Sequence, residues 1–219
     1  MIPKPQEVKD QVSADFEARR KAFHESMAKV QSQIDLAAAE MNKLRTELKT
    51  QNADAKAKTV ARVDELTKNL DATRNEQQEK IEARLKEIHA DIESMNAELK
   101  HATTEGKVAV ETKAKAFREE YDSARSALTA SLDAELTEWK TRIGATLDAA
   151  NEKKVAAKSA VQAKIADLQA KHEAAQKKLH ALKQANAAAF GELQRGVRAA
   201  IAEVKTAMQH ARADISAAS

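Results

Sequence analysis

EKIEARLKEIHADIESMNAEL, residues 79–99, places large apolar side chains at Ile81, Leu85, Ile88, Ile92, Met95 and Leu99, in steps of four, three, four, three and four. At about 100° per residue these side chains fall within roughly 80° of one another on a helix. Ala83, Ala90 and Ala97 fall on the opposite side, among charges. The stretch reads as a narrow apolar seam on a polar rod.

The same seam recurs on either side in blocks of eleven. Leu44, Ala55, Leu66, Gln77, Ile88, Leu99, Val110, Tyr121, Leu132, Ile143, Lys154 and Ile165 form one column. A second holds Leu70, Ile81, Ile92, Thr103, Ala114, Arg125, Leu136 and Leu147. Met95, Gly106, Phe117, Leu128, Trp139, Ala150 and Val161 make a third, with Arg84 as an exception one repeat earlier. Eleven residues in three turns is about 3.67 per turn, so the seam runs almost straight, with at most a weak right-handed supercoil. The pattern predicts long-helix association through Leu66, Leu70, Ile81, Leu85, Ile88, Ile92, Met95, Leu99, Phe117, Tyr121, Leu128, Leu132, Leu136, Trp139, Ile143 and Leu147.

Composition agrees. Of 219 residues, 32% are charged and 3% aromatic, with four Gly, two Pro and no Cys. Pro3 and Pro5 precede the periodic pattern, so a helix is expected from Gln6 onward with nothing to break it outright. So few aromatic side chains do not fill a compact globular core of this length, whereas a seam of Leu, Ile, Val and Met suits long helices. Acid-first i,i+4 pairs such as Asp54/Lys58, Asp64/Lys68, Glu76/Lys80, Glu82/Lys86, Glu111/Lys115 and Glu138/Arg142 support the exposed face. The expected class is all-α: an elongated antiparallel coiled-coil hairpin or a slim helical bundle.

Three stretches lack large apolar residues: 49–59, 100–107 and 148–154. Their spacing suggests four helices of roughly forty-five residues in a bundle. The eleven-residue phase nevertheless runs through the first two. Unbroken, residues 6–217 would extend roughly 320 Å. At least one hairpin is expected, and the neighbourhood of Gly106 is the best reversal because Thr103, Thr104 and Gly106 are poor helix residues. Residues 184–191, QANAAAFG, predict a kink. The chain then divides into an extended segment at 1–5, a coiled-coil region at 6–152 and a basic helical region at 153–219.

That last region carries twelve Lys and Arg against five Asp and Glu, while the whole chain has a net charge of +3. Lys153, Lys154, Lys158, Lys177, Lys178, Arg195, Arg198, Lys205 and Arg212 are therefore candidate contacts to an anionic surface. Residues 188–217 form an amphipathic helix with basic flanks, as interfacial helices do. An anionic lipid surface is thus the alternative partner to a second copy of the chain or another helical protein. Nucleic acid ranks lower, because the basic stretch 153–183, with Lys164, Lys171 and Lys183 among its lysines, has no interleaved aromatics for stacking.

The run Leu136–Trp139 with Ile143, Leu147, Ile165 and Leu168, and the ending AAAFGELQRGVRAAIAEVKTAMQHA (Ala187–Ala211), resemble a group of bacterial stress-associated coiled-coil proteins. The likeness covers about residues 132–215. In that group the ending usually carries two tryptophans; here Phe190 and Ile201 stand in their places, while Leu193, Gly196 and Val204 keep the spacing. The resemblance implies a bacterial cytoplasmic origin and no established activity. The repeats are also similar to those of exchangeable apolipoproteins, without the prolines that punctuate them there.

Catalytic and metal chemistry find little footing. Glu98 and His101 match the Glu-x-x-His element of di-iron bundles. Leu99 occupies the seam, however, so both point away from it, and no second copy exists. His89/Glu93 sits on the charged face, and His172 and His180 are two turns apart. There is no Cys, no G-x-S-x-G and no Gly-rich phosphate loop. No enzyme activity, cofactor or metal is expected. No stretch of the sequence is apolar enough to span a membrane and the N-terminus lacks an apolar signal core, so the expected location is cytoplasmic, with peripheral membrane attachment as the alternative.

Overall fold

The computed structural model describes residues 5–48, 53–101, 104–152 and 159–217, and among these every residue except Leu48, Ala185 and Asn186 is α-helical. The helices are α1 (Pro5–Glu47), α2 (Ala53–His101), α3 (Thr104–Glu152), α4 (Ser159–Gln184) and α5 (Ala187–Ala217). Proline opens α1 at its first position, where a missing N–H costs nothing and the fixed φ suits the helix. All three apolar-poor stretches contain a helix end. The fourth break falls at Ala185 and Asn186, where the sequence predicts only a kink, so the described residues form five helices rather than four. The chain reverses there because α5 is capped afresh: Asn186 Oδ1 accepts from the Ala189 N–H at 3.0 Å.

The chain divides into two compact units within α3, Met1–Arg125 and Ser126–Ser219. In the first, α1 and α2 run antiparallel. Ile34, Met41, Leu66 and Leu70 form one cluster, with Val30, Ala37 and Leu44 against it. Arg62 reaches from α2 to Glu40 on α1 at 3.3 Å. The opening of α3 lies antiparallel to α2: Phe16, Ile88 and Phe117 from the three helices share a second cluster, and the two phenylalanine rings are 3.9 Å apart.

In the second unit α4 runs antiparallel to α3, joined by Lys183 Nζ to Asp133 at 2.9 Å and by the His172 ring to the Leu136 carbonyl at 2.9 Å. α5 packs on α4 and runs parallel to α3, where the Thr146 hydroxyl meets Met208 Sδ at 3.2 Å. Ala150, Val161, Ile165 and Ile215 close one end, with Leu147 packed against them.

Two periodicities are at work. In α4 the buried positions are Val161, Ile165, Leu168, His172, Ala175, Leu179 and Leu182, alternating steps of four and three. α5 does the same through Phe190, Gln194, Val197, Ile201, Val204, Met208, Ala211 and Ile215. In α1 the inward positions Phe23, Met27, Val30, Ile34, Ala37, Met41 and Leu44 follow that spacing too. These are seven-residue patterns, which favour a left-handed wrap, whereas α2 and α3 keep the eleven-residue pattern.

The helices are held by burial of large side chains at the seam. Leu132, fully buried, should lose about 2–5 kcal/mol of stability on change to Ala. Leu36, at 70% exposure, should change by less than about 0.5 kcal/mol on the same substitution. Thermal melts followed at the helical ellipticity minimum check both, and equal losses would refute the assignment of inward and outward faces.

Candidate helix-association interface

Every described member of the three columns from Leu44 to Ala150 is buried or half-buried. Leu66, Leu70, Ile81, Leu85, Ile88, Phe117, Leu128, Leu132, Leu136, Trp139 and Ile143 are buried; Ile92, Met95, Leu99, Tyr121 and Leu147 are half-buried. Thr103 and Lys154 lie outside the described residues. Ala83, Ala90 and Ala97 are exposed, as their position opposite the seam requires. Packing is explicit where Leu66 and Leu70 meet Ile34 and Met41, where Ile88 meets Phe16 and Phe117 with Ile92, Met95 and Tyr121 against them, and where Leu147 packs on Ala150.

Polar residues break into this interface at defined places. Arg84 stands where the third column would have an apolar residue. Its Nε donates to Glu120 Oε1 on α3 at 2.8 Å, and its Nη2 lies 2.7 Å from the same oxygen. The side chains are 6% and 1% exposed. Phe16 covers the guanidinium at 5.8 Å, and Nη1 reaches outward to Glu87 at 3.1 Å. Among the described residues nothing donates to the second Glu120 oxygen. Such a pair adds little net stability, but removing one partner strands a charge in an apolar setting.

A second polar cluster surrounds Trp139. Arg142 lies over the indole at 4.4 Å and donates to Glu138, one turn earlier. The sequence reading puts this i,i+4 pair on the solvent face; it is largely buried instead, because the guanidinium plane is held by the tryptophan it covers. Glu76 and Lys80 pair at 2.7 Å on the exposed face, whereas Lys115 lies 4.0 Å from Glu119. On the surface, Arg62 sits between Glu65 and Glu40, whose hydrogen bonds raise its pKa further above the ordinary value.

His172 and Gln194 occupy seam positions that no apolar search would select, yet the four-and-three spacing with Leu168 and Ala175, or Phe190 and Val197, is the signal that locates them. With the Leu136 carbonyl as acceptor, His172 Nε2 carries the proton. His172 is thereby fixed as a core residue. Glu98 and His101 are both exposed, and His89 meets Glu93 at 3.4 Å on the surface, with the Tyr121 ring 6.2 Å from its own. Among the described residues no group of three or more His, Asp or Glu side chains is arranged to hold a metal ion.

Of the basic candidates, Lys177, Lys178, Arg195, Lys205 and Arg212 are exposed and Arg198 is half-buried. Lys153, Lys154 and Lys158 lie outside the described residues. Lys171 and Lys183 are engaged with Asp167 and Asp133, at 2.8 and 2.9 Å. The apolar face of α5 is covered by its own unit, so its basic flank is presented without an apolar companion. Gly196 has open space where a Cβ would stand, so close packing is not what its place in the ending serves. No described helix is long and apolar enough to cross a membrane.

Comparison with family models, with curated proteins and with solved structures found no match.

The interface chemistry can be tested at two residues. Arg84→Met alone should cost about 3–5 kcal/mol, and Arg84→Met with Glu120→Leu together should return to within about 1 kcal/mol of the parent or above it. Denaturant titration checks this, and a double variant as unstable as the single one would refute the pairing. Tyr121 is the second case. Burial pushes its phenol above the ordinary 10.0, with nearby Arg125 opposing. The fold therefore favours the neutral phenol, a contribution fully present below pH 10 and lost as pH rises through the elevated value. Because Tyr121 is the chain's one tyrosine, absorbance titration near 295 nm reads it alone. The midpoint should lie above 10 when folded and return to about 10 in urea.

Proposed function

We propose that this chain is a non-enzymatic structural protein that acts through helix–helix association, as a scaffold or spacer. What carries the reading is the fate of the seam: its large side chains from Leu66 to Ile143 lie against other helices, while the opposite faces are charged. Long helices follow directly from this use of sequence. Within the first unit α2, at 49 residues, is about 74 Å long. A helix that is apolar on one side and charged on the other suits association with further helices better than it encloses a substrate.

The resemblance of residues 132–215 to bacterial stress-associated coiled-coil proteins supports extending the reading to a role under stress in a bacterial cytoplasm. A lipid-surface role is the second reading, favoured by the exposed Arg195, Lys205 and Arg212 beside the apolar face of α5. It requires that face to leave its own unit before it reaches a membrane.

Anionic vesicles separate the two. A scaffold that is already helical should gain no ellipticity and should not float with vesicles containing about 30–40% phosphatidylserine, a surface charge at which basic segments bind. It should also pass duplex DNA at about 150 mM salt without retention. Co-flotation that is lost on changing Arg195, Lys205 and Arg212 to Gln would replace the scaffold reading by the lipid one.

A further inference from the structure

The chain has five methionines and no cysteine, so a thioether is the only side-chain sulfur an oxidant meets. Met1 lies outside the described residues, and the other four are of two kinds. Met41 and Met208 are buried, at 2% and 3% exposure, and each sulfur accepts a hydroxyl from a neighbouring helix. Thr67 Oγ1 donates to Met41 Sδ at 3.4 Å, and Thr146 Oγ1 to Met208 Sδ at 3.2 Å. Burial keeps an oxidant from these sulfurs until the helices part, and the hydroxyl engages the lone pair with which sulfur would attack it. Met27 and Met95 are half-buried. Met95 stands where added polarity does most harm. Beside Ile92, Ala116 and Tyr121, it packs against the cluster of Phe16, Ile88 and Phe117, through which α1, α2 and α3 meet.

We propose that Met95 is an oxidation site through which a hydroperoxide reversibly loosens the first unit and leaves the second intact. The thioether sulfur attacks one peroxide oxygen, and the S–O bond forms as the O–O bond breaks. Sulfur gives up two electrons to become a sulfoxide, and hydrogen peroxide leaves as water. The new oxygen is a strong acceptor set against Phe16, Ile88 and Phe117, side chains with no donor to offer it. The cluster therefore parts to let water reach that oxygen, and α1 is released from α2 and α3. A dithiol-dependent sulfoxide reductase restores the thioether, with a disulfide and water as the other products. The second unit has one methionine, Met208, and its sulfur is the shielded kind. The proposal rests on the helix-association reading and adds a means of opening the seam.

Each unit carries its own reporter, because the one tyrosine, Tyr121, lies in the first and the one tryptophan, Trp139, in the second. The protein is treated with hydrogen peroxide at neutral pH, the peroxide is removed with catalase, and sulfoxide is located by peptide mass spectrometry. Met95 and Met27 should be modified at least about tenfold faster than Met41 and Met208. The Tyr121 titration midpoint should then fall from its raised value toward the ordinary 10.0, and the reductase should bring it back. Trp139, at 4% exposure, should keep its emission spectrum throughout. M95L conserves volume, so it should titrate like the parent before peroxide and show no fall after it. M27L should still show the fall, since Met27 lies eleven residues, roughly 16 Å, along α1 from Phe16. Equal rates at the four sulfurs, an unmoved midpoint in the oxidised parent, a fall that persists in M95L, or a Trp139 change alongside it overturns the proposal. The vesicle and DNA experiments use untreated protein, so failure of the switch and failure of the scaffold reading are told apart.

Discussion

Burial of a narrow apolar stripe that recurs three times in eleven residues is the constraint under which the whole of α2 and α3 is built. A stripe at about 3.67 residues per turn barely drifts around its helix, so one face stays inward over 49 residues without supercoiling. Each large side chain in it contributes about 1.5–3 kcal/mol on burial, and the stripe is too narrow to stabilise a lone helix in water. The remaining helices meet this straight frame with a different period. α1, α4 and α5 use seven-residue spacing, and their lengths fall to 43, 26 and 31 residues. A shorter helix tolerates the drift between the two periods; a longer one would carry its stripe off the frame.

A repeating stripe specifies that helices pair but not at which repeat. A hairpin slipped by eleven residues would still set column against column, so the period alone does not choose the repeat. The buried polar residues remove that degeneracy. Arg84 and Glu120 meet at one register alone, and any other leaves both charges buried without each other. His172 does the same in the second unit, since its ring has one backbone carbonyl to reach. Arg142 over Trp139 adds a planar contact that an aliphatic residue would not direct. Specificity of alignment thus comes from the few residues that contribute least to net stability.

The outward surface follows a separate logic. Charges of both signs are interspersed along α2, with pairs such as Glu76–Lys80, whereas α4 and α5 present an excess of base. Exposed pairs of this kind are worth a few tenths of a kcal/mol and are screened by salt. Their effect is on what the helices meet rather than on whether they form. Large apolar residues described on that surface, Leu36, Val60 and Val108, sit singly on different helices.

Much of this is legible in the order of residues. The absence of Pro after Pro5, the alanine-rich charged composition and the columns through Ile88, Leu132 and Trp139 determine long helices and the identity of their inward faces, because a helix maps sequence spacing directly onto direction. The stretches near residues 50, 102 and 153 likewise mark where apolar contact lapses. Packing in three dimensions selected which breaks are reversals, and turned 184–191 from a bend into the hairpin of α4 and α5. It also put Glu120, His172 and Gln194 inside. Reversal depends on whether two distant stripes find each other, and the burial of a charge depends on a partner 36 residues away. The reversal near Gly106 left a local trace in poor helix residues, whereas the burial of Glu120 is no property of its own segment, so a one-dimensional pattern carries no sign of it.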